Sequence, residues 1–116
     1  MEIVLSLSTK GALATSAADI RMLAEGCESL PYTSYRGCAE RATYVLLLKH
    51  AKNAAVCLDA LSRFRSDVSL LLPALKFEIM RALTLYNCMQ DGGLANQLRS
   101  RLLCAQECVE AIGKGE

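Results

Sequence analysis

YVLLLKHAKNAAVCLDALSRF, residues 44–64, decides the fold. Leu47, Ala51, Ala54, Leu58 and Leu61 recur at alternating steps of four and three, which is one face of a helix with 3.6 residues per turn. No glycine or proline interrupts the run, and it is longer than a strand. Upstream, Cys38, Ala42, Val45 and either Leu46 or Leu48 make an apolar row on a different face. Ser34 can cap this segment, so the pattern predicts helix from Tyr35 to about Phe64. The change of face around His50 predicts a break near Lys52 and Asn53.

Working outward, Arg65, Ser66 and Asp67 read as a connection, and Val68 to Leu72 as an apolar lead-in to the next helix. Pro73 suits a first turn, where its missing N–H costs nothing. Leu75, Ile79, Leu83, Tyr86 and Met89 follow at helical spacing, and Gly92 and Gly93 supply a stop. A last helix runs from about Leu94 to Ile112, with Leu94, Leu98, Leu102, Ala105, Val109 and Ile112 inward. Toward the N-terminus, Ser16 with Asp19 three residues on resembles a capping box. It predicts a helix carrying Ile20, Leu23, Ala24, Cys27 and Leu30, stopped by Pro31. Ahead of it, Ile3, Leu5 and Leu7 alternate like a strand. Val4, Leu7, Gly11 and Ala14 also fit one helix face, and an isolated strand would have no partner. The reading is therefore all-α: five to six helices packed as antiparallel hairpins, forming a helical bundle or a short α-solenoid segment.

Composition agrees. The 116 residues suit one domain, residues 1–116, and include 20 leucines and 16 alanines against nine Val and Ile together. Ala82, Leu85, Gly93, Leu102 and Ala105 fall at the small and apolar positions of a helical hairpin that resembles a degenerate tetratricopeptide unit. It departs at Tyr86 and Leu98, where small residues are usual. The resemblance covers about a third of the chain and implies the solenoid alternative.

Several functions lack their residues. No apolar run approaches the ~18–20 residues of a membrane span, and the opening residues carry no basic region ahead of an apolar stretch. Cys27, Cys38, Cys57, Cys88, Cys104 and Cys108 fall mostly within apolar helical rows, which predicts reduced, buried thiols and an intracellular location, cytoplasmic or nuclear. Cys104 and Cys108 are one turn apart with no second such pair to face them. His50 is the single histidine; Cys57 lies two turns on, but no CxxC or HxxxH unit completes a metal site. The arginine that HEPN ribonucleases place upstream of their histidine, with four to six residues between, is missing: Thr43, Tyr44 and Val45 occupy those positions. No nucleophile–base–acid set or phosphate-cradling glycine loop is present. The expectation is a non-enzymatic domain with no cofactor and no metal.

What remains is surface. The net charge is +1, yet residues 36–65 carry +4. Arg41, Lys52 and Arg63 are spaced by eleven, close to three turns, and Lys49 lies one turn from Lys52. This basic strip suits an acidic segment of another protein, or phosphate groups. Three consecutive residues fan over ~200° of a helix. Leu46, Leu47 and Leu48 therefore cannot all face one neighbour, and a leftover leucine marks an interface with a partner or a second copy. A protein-interaction or scaffold domain within a larger protein or assembly is the first expectation, with a nucleic-acid- or phosphate-binding domain second.

Overall fold

In a computed structural model, which describes residues 5–29, 38–63, 70–87 and 94–113, the two helices expected before Pro31 are joined into one. Ser6 is the cap: its Oγ accepts from the Thr9 backbone N–H at 3.1 Å and donates to Thr9 Oγ1 at 2.9 Å. One helix, α1 (Leu7–Glu28), follows without interruption. The expected start at Ser16 is thus corrected, because a serine on a helical face need not cap when a better-placed one precedes it. The face is corrected too. Leu7, Gly11 and Ala14 are exposed, while Thr9, Leu13, Ala17, Ile20, Ala24 and Cys27 are buried.

α2 (Cys38–Arg63) is also continuous, so the break expected at Lys52 and Asn53 does not occur. Tyr44, Leu47, Leu48, Ala51, Ala54, Ala55, Leu58 and Leu61 form one buried arc along its length. The apparent change of face came from assigning Ala42 and Val45 inward; both are exposed. α3 (Leu71–Asn87) buries Leu72, Leu75, Ile79 and Ala82, with Pro73 in its first turn. α4 (Leu94–Gly113) buries Ala95, Leu98, Leu102, Ala105, Val109 and Ile112. Five to six helices are therefore corrected to four among the described residues. Leu30, Pro31, Ser34, Val68, Cys88, Met89, Gly92 and Gly93, and the side chains of Cys38 and Leu94, lie outside them.

The four helices close a ring. α1 packs on α2, α2 on α3, α3 on α4 and α4 back on α1, and the diagonal pairs barely touch. That closure makes a helical bundle, since in a solenoid the last helix would not return to the first.

Four contacts set the direction of each helix. Tyr86 Oη donates to Asn96 at 3.2 Å near one end of α3 and α4, while Lys76 and Met80 face Gln106 and Glu110 nearer the other. Those helices are antiparallel. His50 Nδ1 meets Glu78 Oε2 at 2.5 Å and sets the level of α2 against α3. A parallel pair at that level would leave Arg63 about 30 Å from Leu71 along the axis. Eight Cα steps reach only about 28 Å, so α2 and α3 are antiparallel as well. α2 and α4 therefore run the same way.

The two ion pairs that α1 makes with its neighbours orient it. On the common axis Arg101 and Lys52 are about 12 Å apart, with Lys52 toward the C-terminal ends of α2 and α4. Asp19 pairs with Arg101 and Glu28 with Lys52. From Asp19 to Glu28 the helix rises about 14 Å, so α1 runs parallel to α2 and α4. The expected antiparallel hairpins are found at α2–α3 and α3–α4 only.

Among the described residues eight of the buried apolar side chains are alanines: Ala17, Ala24, Ala51, Ala54, Ala55, Ala82, Ala95 and Ala105. Alanine lets helix axes approach toward the short end of the usual ~8–10 Å range, and the bundle is correspondingly thin at 47 × 20 × 17 Å.

A cap at Ser6 and a single α1 have separable consequences. Ser6→Ala is expected to cost about 1 kcal/mol. Gly11→Ala is expected to stabilise by about 0.5–1 kcal/mol, because an added methyl there meets nothing within 4 Å. Ser16→Ala is expected to change stability by under about 0.5 kcal/mol. Urea unfolding of the three variants checks this; a large loss at Ser16 with none at Ser6 would mean that the helix starts late.

Candidate functional site

The side chains proposed from sequence as a docking strip all sit on α2, whose continuity aligns them. Arg41, Lys49 and Arg63 are exposed on its outward face. They are not equivalent. Lys52 forms an ion pair with Glu28 of α1, both about 40 % exposed, and Arg63 Nε meets Asp59 Oδ2 at 3.2 Å one turn earlier. Pairs this exposed are worth about 0–1 kcal/mol each, so they orient the chains more than they hold them. The strip is a partly neutralised surface, with Lys49 its clearest outward cation.

The leucine triplet divides as helix geometry requires. Leu47 and Leu48 are 1 % and 4 % exposed, while Leu46 is 43 % exposed. Leu46 points along the flank that α2 turns toward α3, where the sequence had given no site. One turn on, His50 and Glu78 are each about five-sixths buried and hydrogen-bonded. The His50 ring also meets the Phe77 ring edge-on, with centroids 6.2 Å apart. Glu78 was not singled out in the sequence. It lies beside the buried Ile79, but nothing in one sequence says that a carboxylate 28 residues away will meet the histidine.

A carboxylate bound to an imidazole is half of a general-base arrangement. The thiol that would complete it, Cys57, stands two turns from His50, about 10 Å along the axis. Burial, and then the negative charge of Glu78, hold the Cys57 thiol above its ordinary pKa. A nucleophilic cysteine needs the opposite shift. Among the described residues no three of His, Cys, Asp or Glu converge to hold a metal ion. The His50–Glu78 hydrogen bond joins α2 to α3, and the His50 ring packs edge-on against Phe77.

Six of the eight large apolar side chains exposed among the described residues are carried by α2 (Val45, Leu46 and Val56) and by α3 or the residue before it (Leu70, Phe77 and Met80), but on several flanks: at 100° per residue Val45 and Val56 turn with Lys52, and Met80 faces α4. Next to Met80 a cavity of about 190 Å³ opens between α3 and α4, lined by Lys76, Ile79, Met80, Gln106, Val109 and Glu110. On the far side, Asn96, Gln97, Ser100, Arg101 and Cys104 border an open depression on α4. No helix among the described residues is long and apolar enough to cross a membrane.

The chain was also compared with protein-family models, with curated proteins and with solved structures, and matched none of them.

The cysteines differ in access. Cys27 is buried, Cys57 and Cys108 are partly buried, and Cys104 is exposed, which corrects the expectation that both Cys104 and Cys108 are core residues. Near pH 7.5, timed alkylation with peptide mapping should label Cys104 first and Cys27 last among these four. Cys57 should lag Cys104, because its thiolate is scarcer as well as less accessible. Labelling of Cys57 ahead of Cys104 would contradict the geometry.

Proposed function

We propose that this chain is a non-enzymatic helical interaction or scaffold domain, working inside the cell as part of a larger protein or assembly. The observation that supports it best is the division of the leucine triplet. Leu46 stays at the surface beside two fully packed leucines, in a row that passes by His50 to Phe77. Burying such a side chain is worth roughly 1.5–3 kcal/mol, so a partner that covers Leu46 and Phe77 gains enough to matter. Exposed apolar residues in a contiguous row mark binding surfaces more often than exposed ones scattered singly.

The second reading, a nucleic-acid- or phosphate-binding domain, draws on the alignment of Arg41, Lys52 and Arg63 along an unbroken α2. It ranks lower because Lys52 and Arg63 already face carboxylates.

Leu46→Glu and Phe77→Glu are expected to move the melting temperature by only a few degrees, consistent with ~1 kcal/mol or less at exposed sites. They should abolish self-association or capture of a partner. Leu47→Glu, at a fully packed position, should unfold the domain. Thermal melts, molecular mass in solution and affinity capture check these outcomes. A wild type that stays monomeric and captures nothing, with Leu46→Glu as damaging as Leu47→Glu, would remove the interaction reading. Strongly salt-dependent retention on heparin that is lost in Arg41→Ala/Lys49→Ala would favour the second reading.

A further inference from the structure

We propose that two copies of this chain pair through the α3–α4 face, about a two-fold axis that runs parallel to the notch between those helices. This flank of α3 is not the one that meets His50, so the pairing goes beyond the interaction reading above and does not depend on Leu46. α3 and α4 are the least closely joined of the four neighbouring pairs in the ring. Ile79 and Val109 floor the notch and are packed, at 1 % exposure each. Met80, 59 % exposed, stands on the α3 rim beside the cavity of about 190 Å³. Ligand sites usually enclose ~300–1,000 Å³, so this hollow is the size for a side chain rather than a whole small molecule. A protruding methionine and a hollow for a side chain thus share one face.

The two rims carry opposite charge. Lys76 on α3 and Glu110 on α4 border the cavity from its two sides; both are exposed, and neither makes an ion pair among the described residues. Glu107, exposed one turn earlier on α4, adds to the acidic rim. The antiparallel register sets the opposite charges at nearly one level. From the Tyr86–Asn96 contact, Lys76 lies about 15 Å along α3 and Glu110 about 21 Å along α4. In a two-fold dimer the same patch meets itself, and an axis parallel to the notch keeps each level while exchanging the rims. Lys76 of one copy then faces Glu110 of the other, and the reverse, so one face makes two reciprocal ion pairs. Met80 of each copy comes over the other's α4 rim, where Gln106 and Val109 border the hollow.

Other arrangements fit less well. An axis across the notch would set α3 on α3 and α4 on α4, and neither charge would meet its opposite. An acidic segment or a nucleic acid would satisfy Lys76 and be repelled by Glu107 and Glu110. A basic segment would meet the reverse conflict at Lys76.

The test uses the whole chain and the variants Lys76→Glu, Glu110→Lys, their combination, Met80→Glu and Leu46→Glu. Sedimentation over a range of concentrations and native mass spectrometry give the mass, and thermal melts check folding. The wild type is expected to be a dimer that dissociates on dilution. Each single charge reversal, and Met80→Glu, should weaken it about tenfold or more while leaving a folded monomer. The double reversal should dimerise as the wild type does, and Leu46→Glu should leave the dimer intact. The last arm mixes the two single reversals. Each opposes like charges in its own homodimer, yet together they restore both ion pairs, so they should pair with one another where neither pairs with itself. A loss of folding in either variant would not be repaired by mixing. A wild type that stays monomeric, a dimer indifferent to Met80→Glu and to both reversals, or single reversals that do not pair when mixed would each overturn the proposal. A dimer lost in Leu46→Glu and kept in Lys76→Glu would overturn it in favour of the α2–α3 flank. A monomer that captures a partner through Leu46 would overturn the pairing and leave the interaction reading standing; a dimer with these responses that captures nothing would do the reverse.

Discussion

The packing of α2 against two neighbours at once is the constraint on which the rest of the bundle depends. Its buried arc includes Leu48 and Ala55 toward α1, Leu61 and Ala54 toward α3, and Tyr44, Leu47, Ala51 and Leu58 between. An arc this broad exceeds the ~100° stripe of a helix that packs on a single surface. Lys52 with Glu28 marks one flank of it and His50 with Glu78 the other. The exposed Lys52–Glu28 pair contributes little stability of its own, whereas the His50–Glu78 hydrogen bond is about five-sixths buried. Their effect is to fix the levels at which the three helices meet, and so which residues of α1 and α3 face the core.

The parallel course of α1 follows from those levels. In an up-down bundle Glu28 would lie beside the start of α2; here it lies beside Lys52, in the second half of that helix. The energetic consequence is local. Parallel neighbours align their helix dipoles, a weakly unfavourable arrangement that falls off within the terminal turns. The lost hydrophobic burial of even one Leu13 or Ile20 would outweigh it, since a Leu→Ala change in a core costs about 2–5 kcal/mol. Packing therefore decides the topology.

Much of this was legible in the sequence where one apolar row was unambiguous. α4 was read almost to its ends, and its row from Leu98 to Ile112 is buried as expected. The second half of α2 was equally clear. The first half was not, because Leu46, Leu47 and Leu48 allow several phases, and Val45 and Ala42 drew the assignment one position out of register. Tyr44, whose ring is buried at 1 % exposure, sets the true phase. A tyrosine is counted as a boundary residue when the pattern is read alone. α1 was divided because Ser16 with Asp19 resembles a capping box, whereas Ser6, which accepts from the Thr9 N–H, is the cap. The candidate surface was half legible: Leu46 and the basic residues of α2 were visible, whereas Phe77, Met80 and Glu78 gain their meaning only from the neighbouring helix.

The alanine content of the core explains why this surface exists at all. Among the described residues eight buried alanines let the helices close to a cross-section of 20 × 17 Å, an interior that is filled by side chains such as Tyr44, Leu47, Leu58, Ile79 and Leu102. Fifty-three percent of the chain is apolar, so side chains such as Leu46, Val56, Phe77 and Met80 are left outside the packed layer. On the flank between α2 and α3 the outermost packed groups are His50 and Glu78, hydrogen-bonded at 2.5 Å, with the Phe77 ring edge-on to the imidazole. The polar pair therefore joins the two helices at the level where Leu46 and Phe77 remain exposed.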